Sequence, residues 1–269
     1  MKKIFLIAEI GWNHLGNMSL AEKMIISAAK NGADVCKFQS WDVNDLKNGP
    51  WDNDGRREIY HKACLSIENH IFLKKVCDEN NVLFMTSIFN EKYIEIVKNL
   101  NVKISKIPSH EVYNNSLVRA VAASFDKTLI STGASYWNEV TKYNDLFKSQ
   151  KLIPMHCVSS YPCKDENINL PRILEIKKLS EIFGYSGHLN NINDAIASIC
   201  MGCTFIEKHF TIDKNLPGRD NLNAILPEDL RSLYLFKESF EKMNINRGID
   251  LQEDEMDIYE NYRGRWSGK

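Results

Sequence analysis

The stretch FGYSGHLNNINDAIASICMGCTFIEKH, Phe183–His209, decides the fold. Its ends read as short strands, Phe183 to Ser186 and Thr204 to His209, and its middle carries a helical pattern. A strand that returns through a helix to a second strand implies parallel pairing by a right-handed crossover. Outward from this unit the same alternation recurs, with strands expected at Ile4 to Glu9, Asp34 to Gln39, Val82 to Ser87, Lys103 to Ile107, Thr128 to Thr132 and Leu152 to Cys157. Amphipathic stretches lie between them, among them Ser19 to Lys30, one beginning near Glu68, and a last one, Pro227 to Met243, opened by a proline and acidic residues. Eight such units in ~250 residues predict an α/β protein, a closed (β/α)₈ TIM barrel spanning residues 1–248. A doubly wound open sheet would need a Gly-x-Gly-x-x-Gly after the first strand, and Gly11 to Gly16 does not supply one.

Two segments leave the pattern. Ser40 to Ser66, with Pro50, Trp41, Trp51 and several Asp and Asn, is too long for a simple connection and reads as a lid over the barrel mouth or as a surface insertion. Residues 249–269 form a tail, acidic first and then Tyr262-Arg263-Gly264-Arg265-Trp266, expected as a docking arm or a frayed end.

The 269 residues carry 34 Lys and Arg against 35 Asp and Glu, a net charge of −1. That balance lacks the excess of cations a general nucleic-acid binder needs to displace counterions. No run approaches the ~20 apolar residues that span a bilayer, so no membrane role is expected. The start, Met1-Lys2-Lys3 and then Ile4 to Ala8, imitates a signal peptide until Glu9 ends the apolar run. Seven cysteines, an odd number, fit reduced thiols, and the expected location is the cytoplasm.

In a barrel of this kind chemistry sits where the strands end. Here nearly every strand ends in a reactive or ligating side chain: Glu9; Lys37 and Gln39; Thr86 and Ser87; Lys106 and Ser109; Ser131 and Thr132; His156, Ser159 and Tyr161; Ser186 and His188; Glu207 and His209. Such charged groups facing an interior are costly unless paired or bound, so the ring predicts a polar ligand. Period two puts Ser186 with His188 on one face and Glu207 with His209 on one face. Neighbouring strands lie ~5 Å apart, so the two imidazoles can share one divalent ion and leave positions open for water and substrate oxygens. Glu207 would be a ligand, a support or a base. Lys37 and Lys106, with Ser109, Ser131 and Ser186, form a second group suited to a phosphate or carboxylate. His156 and Cys157 are adjacent and so point to opposite faces, which weighs against a nucleophile pair. Cys200 and Cys203 read as packing.

Read together, Ala8-Glu9-Ile10-Gly11-Trp12-Asn13-His14, Lys37-Phe38-Gln39, Ser131-Thr132-Gly133, His156-Cys157-Val158-Ser159-Ser160-Tyr161-Pro162, Gly184-Tyr185-Ser186-Gly187-His188 and Glu207-Lys208-His209-Phe210-Thr211 resemble the N-acetylneuraminate (sialic acid) synthase family over about positions 5 to 240. The resemblance implies a (β/α)₈ barrel that condenses phosphoenolpyruvate with an open-chain N-acyl amino sugar such as N-acetylmannosamine. It places Mn²⁺ or Mg²⁺ on His188 and His209. It assigns Lys37, Thr86 or Ser87, Lys106, Ser109, Ser131, Ser159 and Ser186 to phosphoenolpyruvate, and Glu9, Gln39, Tyr161 and Asp220 to the sugar. Glu9 and Glu207 are the expected proton carriers.

The chain also departs from the family pattern. Ser186-Gly187-His188 stands where Ser-Asp-His is usual, which removes a carboxylate beside a metal ligand. Gly218-Arg219-Asp220-Asn221 replaces Gly-Pro-Asp-His, Ala224 stands for a Ser, and Pro108 and His110 replace glycines flanking Ser109. The family's C-terminal antifreeze-like domain, which brings an Arg to the sugar across a dimer, has no counterpart among these residues. A homodimer or a separate lid domain is therefore left open, and Arg263 or Arg265 is expected to take that arginine's part. The departures gather on the sugar side. Another two-His metal-dependent aldolase or hydrolase, and a non-catalytic homologue that binds sugar or phosphoenolpyruvate, are the alternative readings.

Overall fold

The computed structural model describes residues 3–49 and 53–267, so Pro50 and Trp51 of the expected lid lie outside the described residues. Eight parallel strands close into a barrel in chain order: β1 Phe5–Gly11, β2 Val35–Ser40, β3 Leu83–Ile88, β4 Ile104–Ile107, β5 Lys127–Ser131, β6 Leu152–Cys157, β7 Gly184–Gly187 and β8 Phe205–His209. Each expected strand is present, displaced by at most two residues at an end.

Alternation along the strands divides the side chains into two shells. The outward residues, such as Leu6, Ala8, Phe38, Phe84, Ile130 and Ile206, pack under the helices in one continuous core. The inward residues fill the lumen in layers. Phe5 stacks on Phe205 at 5.1 Å, and above them Ile7, Val35, Met85, Leu129, Ile153 and Met155 form a separate apolar plug. One step further along each strand the inward residues become polar, and the candidate site begins there.

Burying two-sided strands accounts for their long apolar runs, and the covering helices account for the rest of the pattern. Helix Met18–Lys30 buries Ala21, Met24, Ile25 and Ala28 at helical spacing, and Asn17 caps it by accepting from the Leu20 amide at 3.1 Å. Helix Ile67–Glu79 starts on Ser66, which exchanges hydrogen bonds with Asn69. Helix Pro227–Met243 runs back from the mouth to the far end, where Glu241 accepts from the Ile4 amide at 2.9 Å.

The tail therefore leaves from the end of the barrel opposite the mouth. It carries a short helix, Met256–Asn261, and its residues are mostly exposed. Arg263 lies over the Tyr259 ring at 3.8 Å and Arg265 over Tyr262 at 5.4 Å. Within the chain both arginines stack inside the tail, away from the mouth. Among the described residues no helix is long and apolar enough to cross a membrane.

Candidate active site

The first polar layer of the lumen is a charge cluster. Lys37 donates to Ser87 Oγ at 2.9 Å and pairs with Glu9 at 2.8 Å, with Glu207 at 3.7 Å. Lys106 pairs with Glu207 at 2.8 Å, and Ser186 donates to the other Glu207 oxygen at 3.0 Å. These contacts follow from register, which sets Glu9 beside Lys37 and Ser186 beside Glu207. All four ionised groups are at most 5 % exposed, so each must be held by its neighbours.

The two carboxylates respond oppositely. Burial raises Glu9, Lys37 only partly offsets it, and the Glu207 charge adds to it, leaving a pKa of about 7. Burial also opposes ionisation of Glu207, but Lys106 and Lys37 outweigh it and bring the pKa to about 2. Glu207 is thus a fixed anion, while Glu9 can gain or lose a proton near neutral pH.

Above this layer lie a hydroxyl pocket and an imidazole pair. A Cβ built on Gly133 would come within 2.5 Å of Ser159 Oγ and 3.0 Å of Ser109 Oγ, so the bare glycine lets three segments converge on one cradle. Ser131 is buried on the same inward face as Leu129. The rings of His188 and His209 are 5.5 Å apart. His188 Nδ1 donates to the Val158 carbonyl at 2.8 Å, which leaves Nε2 as the nitrogen that can ligate once the ring is neutral. Burial opposes protonation of this ring, but Cys157, the Val158 carbonyl and Glu207 outweigh it and raise its pKa. Burial, reinforced by His188 and Lys37, lowers His209 to about 4 despite Asp220, so its ring is neutral at pH 7. His209 Nδ1 is buried without a hydrogen bond, with Asp220 Oδ2 at 3.6 Å. Among the described residues no group of three or more His, Cys, Asp or Glu side chains could hold a metal ion, so what the mouth offers one is the imidazole pair, with the buried His209 Nδ1 left unbonded.

The sugar-side candidates surround this pair. The Tyr161 ring lies 4.2 Å from His188, and Asp220 accepts from the Trp12 indole. Gln39 donates to Glu9 at 2.8 Å and accepts from the Trp41 indole at 3.1 Å. The Ser40 to Ser66 segment folds back here as helix Arg56–Ala63, setting Tyr60 against Trp12 at 4.9 Å and Trp41 at 5.4 Å. Trp12, Asp54, Arg56, Ile59, Arg219 and Leu222 line a cleft of about 340 Å³ beside the mouth. A larger one, about 510 Å³, opens at the other end near Phe147, Gln150 and Ser180 and holds none of the converging groups. Asn221, in place of the family's His, ties its loop to Thr211 Oγ1 at 2.6 Å and to the Pro217 carbonyl at 2.8 Å.

Two strand-end candidates are displaced. Thr86 faces the helical shell, where it bonds Ser40 at 2.7 Å and through it His70, so only Ser87 of that pair reaches the lumen. His156 likewise turns outward to the Ile168 carbonyl at 2.8 Å. Cys157, which the sequence reading set aside, turns inward, 3.4 Å from Ser109 Oγ and 4.0 Å from His188 Nδ1. Burial opposes its ionisation, yet His188, Ser109 and Lys106 bring it down to about 7. Trp12 and Gly133 are mouth residues that reading did not single out; their signal lay within the quoted motifs.

Comparison with known proteins gives this barrel its relatives. The NeuB family model matches residues 24–246. The chain is 31% identical to an N,N'-diacetyllegionaminic acid synthase of Campylobacter jejuni, over 87% of this chain and 75% of that one. It is 33% identical to the synthase of the same name from Legionella pneumophila, over 85% and 70%. The crystal structure of N-acetylneuraminic acid (sialic acid) synthetase from Leptospira borgpetersenii, in complex with citrate, superposes with a TM-score of 0.89 at 30% identity, covering 99% of this chain and 93% of that one.

Proposed function

The chain belongs to the NeuB family, and from that premise we propose that it condenses phosphoenolpyruvate with the open-chain aldehyde of an N-acyl amino sugar. Its products are a nine-carbon 2-keto acid of the sialic acid type and inorganic phosphate. The observation that carries this reading is the meeting, at one mouth, of two buried lysines, a hydroxyl cradle, a paired imidazole site and a carboxylate titrating near pH 7.

Lys37 and Lys106, with Ser87, Ser109, Ser131, Ser159 and Ser186, hold the phosphate and carboxylate of phosphoenolpyruvate through charge-assisted bonds. His188 and His209 hold Mn²⁺ or Mg²⁺, which when bound supplies Lewis acidity toward the aldehyde oxygen. Gln39, Tyr161 and Asp220 orient the sugar, with its tail toward the cleft of Trp12, Arg56 and Arg219. The methylene carbon of phosphoenolpyruvate forms the new bond to the aldehyde carbon. The aldehyde oxygen is left as an alkoxide and water adds at the second carbon, giving up a proton to Glu9, which returns it to the alkoxide to make the new hydroxyl. The added hydroxyl then loses its own proton to the departing phosphate as the carbon–oxygen bond breaks, leaving the ketone. Glu207 stays ionised throughout and keeps Lys106 and Ser186 in place.

Phosphate release from phosphoenolpyruvate in the presence of Mn²⁺ and a panel of mono- and di-N-acyl amino hexoses tests the proposal. At least one sugar is expected to give aldose-dependent phosphate and a 2-keto acid. Aldose-independent hydrolysis, or no phosphate with any sugar, would overturn it.

A further inference from the structure

Behind β7 and β8, outside the lumen, lies a second buried charge cluster. Lys208 stands between Glu207 and His209, so alternation turns it to the outer face, where it is 3 % exposed. Its Nζ donates to both Asp194 oxygens, at 3.0 and 2.8 Å, and to the Leu189 carbonyl at 2.8 Å. Asp194 also accepts from the Tyr185 hydroxyl at 2.9 Å and from the Ala195 amide at 2.9 Å, in the first turn of helix Asn193–Cys200. Every strong donor and acceptor of the pair is satisfied.

A buried ion pair adds little net stability, because desolvation takes back most of what attraction gives. What this one joins is more informative. Leu189 follows His188, Tyr185 precedes Ser186, and Lys208 sits between Glu207 and His209. The network therefore clips the His188 segment to the strand that carries His209. Gly187, directly before His188, completes the fit. A Cβ built there would lie 2.3 Å from Asp194 Oδ2 and 2.5 Å from the Tyr185 ring, so the carboxylate already fills the place of a side chain at 187.

We propose that Asp194, acting through Lys208, is a positioning residue that fixes the relative height and rotation of His188 and His209 and thereby the affinity of the pair for a divalent cation. This rests on the two-His metal reading above.

The test uses the full chain and measures Mn²⁺ binding directly, by the electron paramagnetic resonance signal of the free ion, alongside the thermal midpoint of the metal-free protein. Asp194→Ala and Asp194→Asn are expected to weaken Mn²⁺ binding by roughly 10–100-fold, the scale seen when groups that orient metal ligands are removed. Should the alanine variant fail to fold, the isosteric asparagine variant decides. Wild-type Mn²⁺ affinity in Asp194→Asn, whatever its midpoint, would reduce the network to a structural tie and overturn the proposal. Absence of Mn²⁺ binding by the wild type itself would instead overturn the metal reading, and this inference with it.

Discussion

Glu9 and Glu207 face the same mouth, and their separation in proton affinity turns on what each touches. Glu207 faces two ammonium groups and Glu9 one, so the first remains an anion while burial holds the second near pH 7. A group assigned to take a proton from water must be ionised to do so. Activity is therefore expected to rise with pH through about 7 on the acid limb. Glu9→Gln should lower kcat by roughly 10²–10⁴-fold and abolish that limb, measured as kcat against pH at saturating substrates. A persisting limb would assign the proton to another group. Both carboxylates were legible in the sequence as strand ends. Their division of labour was not, because it depends on which lysine reaches which oxygen.

Among the elements, β3 shows where strand-end reading stops. Thr86 and Ser87 are adjacent, and period two admits only one of them to the lumen. The strand's phase decides, and it is set by Met85, which is buried in the lumen plug. Thr86 instead anchors Ser40 and His70 beneath helix Ile67–Glu79. Thr86→Val is expected to cost about 1–2 kcal/mol in stability, seen as a lower urea midpoint, with the phosphoenolpyruvate KM unchanged. Ser87→Ala should do the reverse, raising that KM roughly tenfold with little loss of stability. Equal KM values in the two variants would place neither hydroxyl at the phosphate. The eight-unit order was legible because each strand and helix carries its own period. Groups brought by crossovers, such as Asp194 and Tyr60, were not, since no period links a residue of a connecting helix to the strand end it approaches. The apparent loss of a carboxylate at Gly187 is the clearest case: one is present, delivered from the neighbouring helix.

For the whole molecule, buried histidines tie stability to pH. His14 and His156 are fully buried in the fold, and burial lowers each to about 4. The native protein then binds fewer protons at these sites than the unfolded chain does. Their contribution is complete above pH ~6.5 and is lost as pH falls toward 4, by up to roughly 3 kcal/mol each. Glu9, raised to about 7, slopes the other way between pH ~4.5 and 7, because its native form holds the extra proton. His156→Leu, compared with the wild type by urea denaturation across pH 4–6.5, is expected to flatten the acid loss. Parallel curves would show that His156 titrates alike in both states.

The lysine–carboxylate pairs of the lumen have a further consequence. Glu9 and Glu207 act as built-in counter-ions, so each ammonium already has an anion at bonding distance before any ligand arrives. On the proposed function, a phosphate entering the cradle would compete with resident carboxylates, and its binding would be an exchange of partners. The barrel would then work as a miniature ion exchanger, with affinity set by the difference between two anions and only weakly by the salt outside, which Debye screening barely carries into a buried layer.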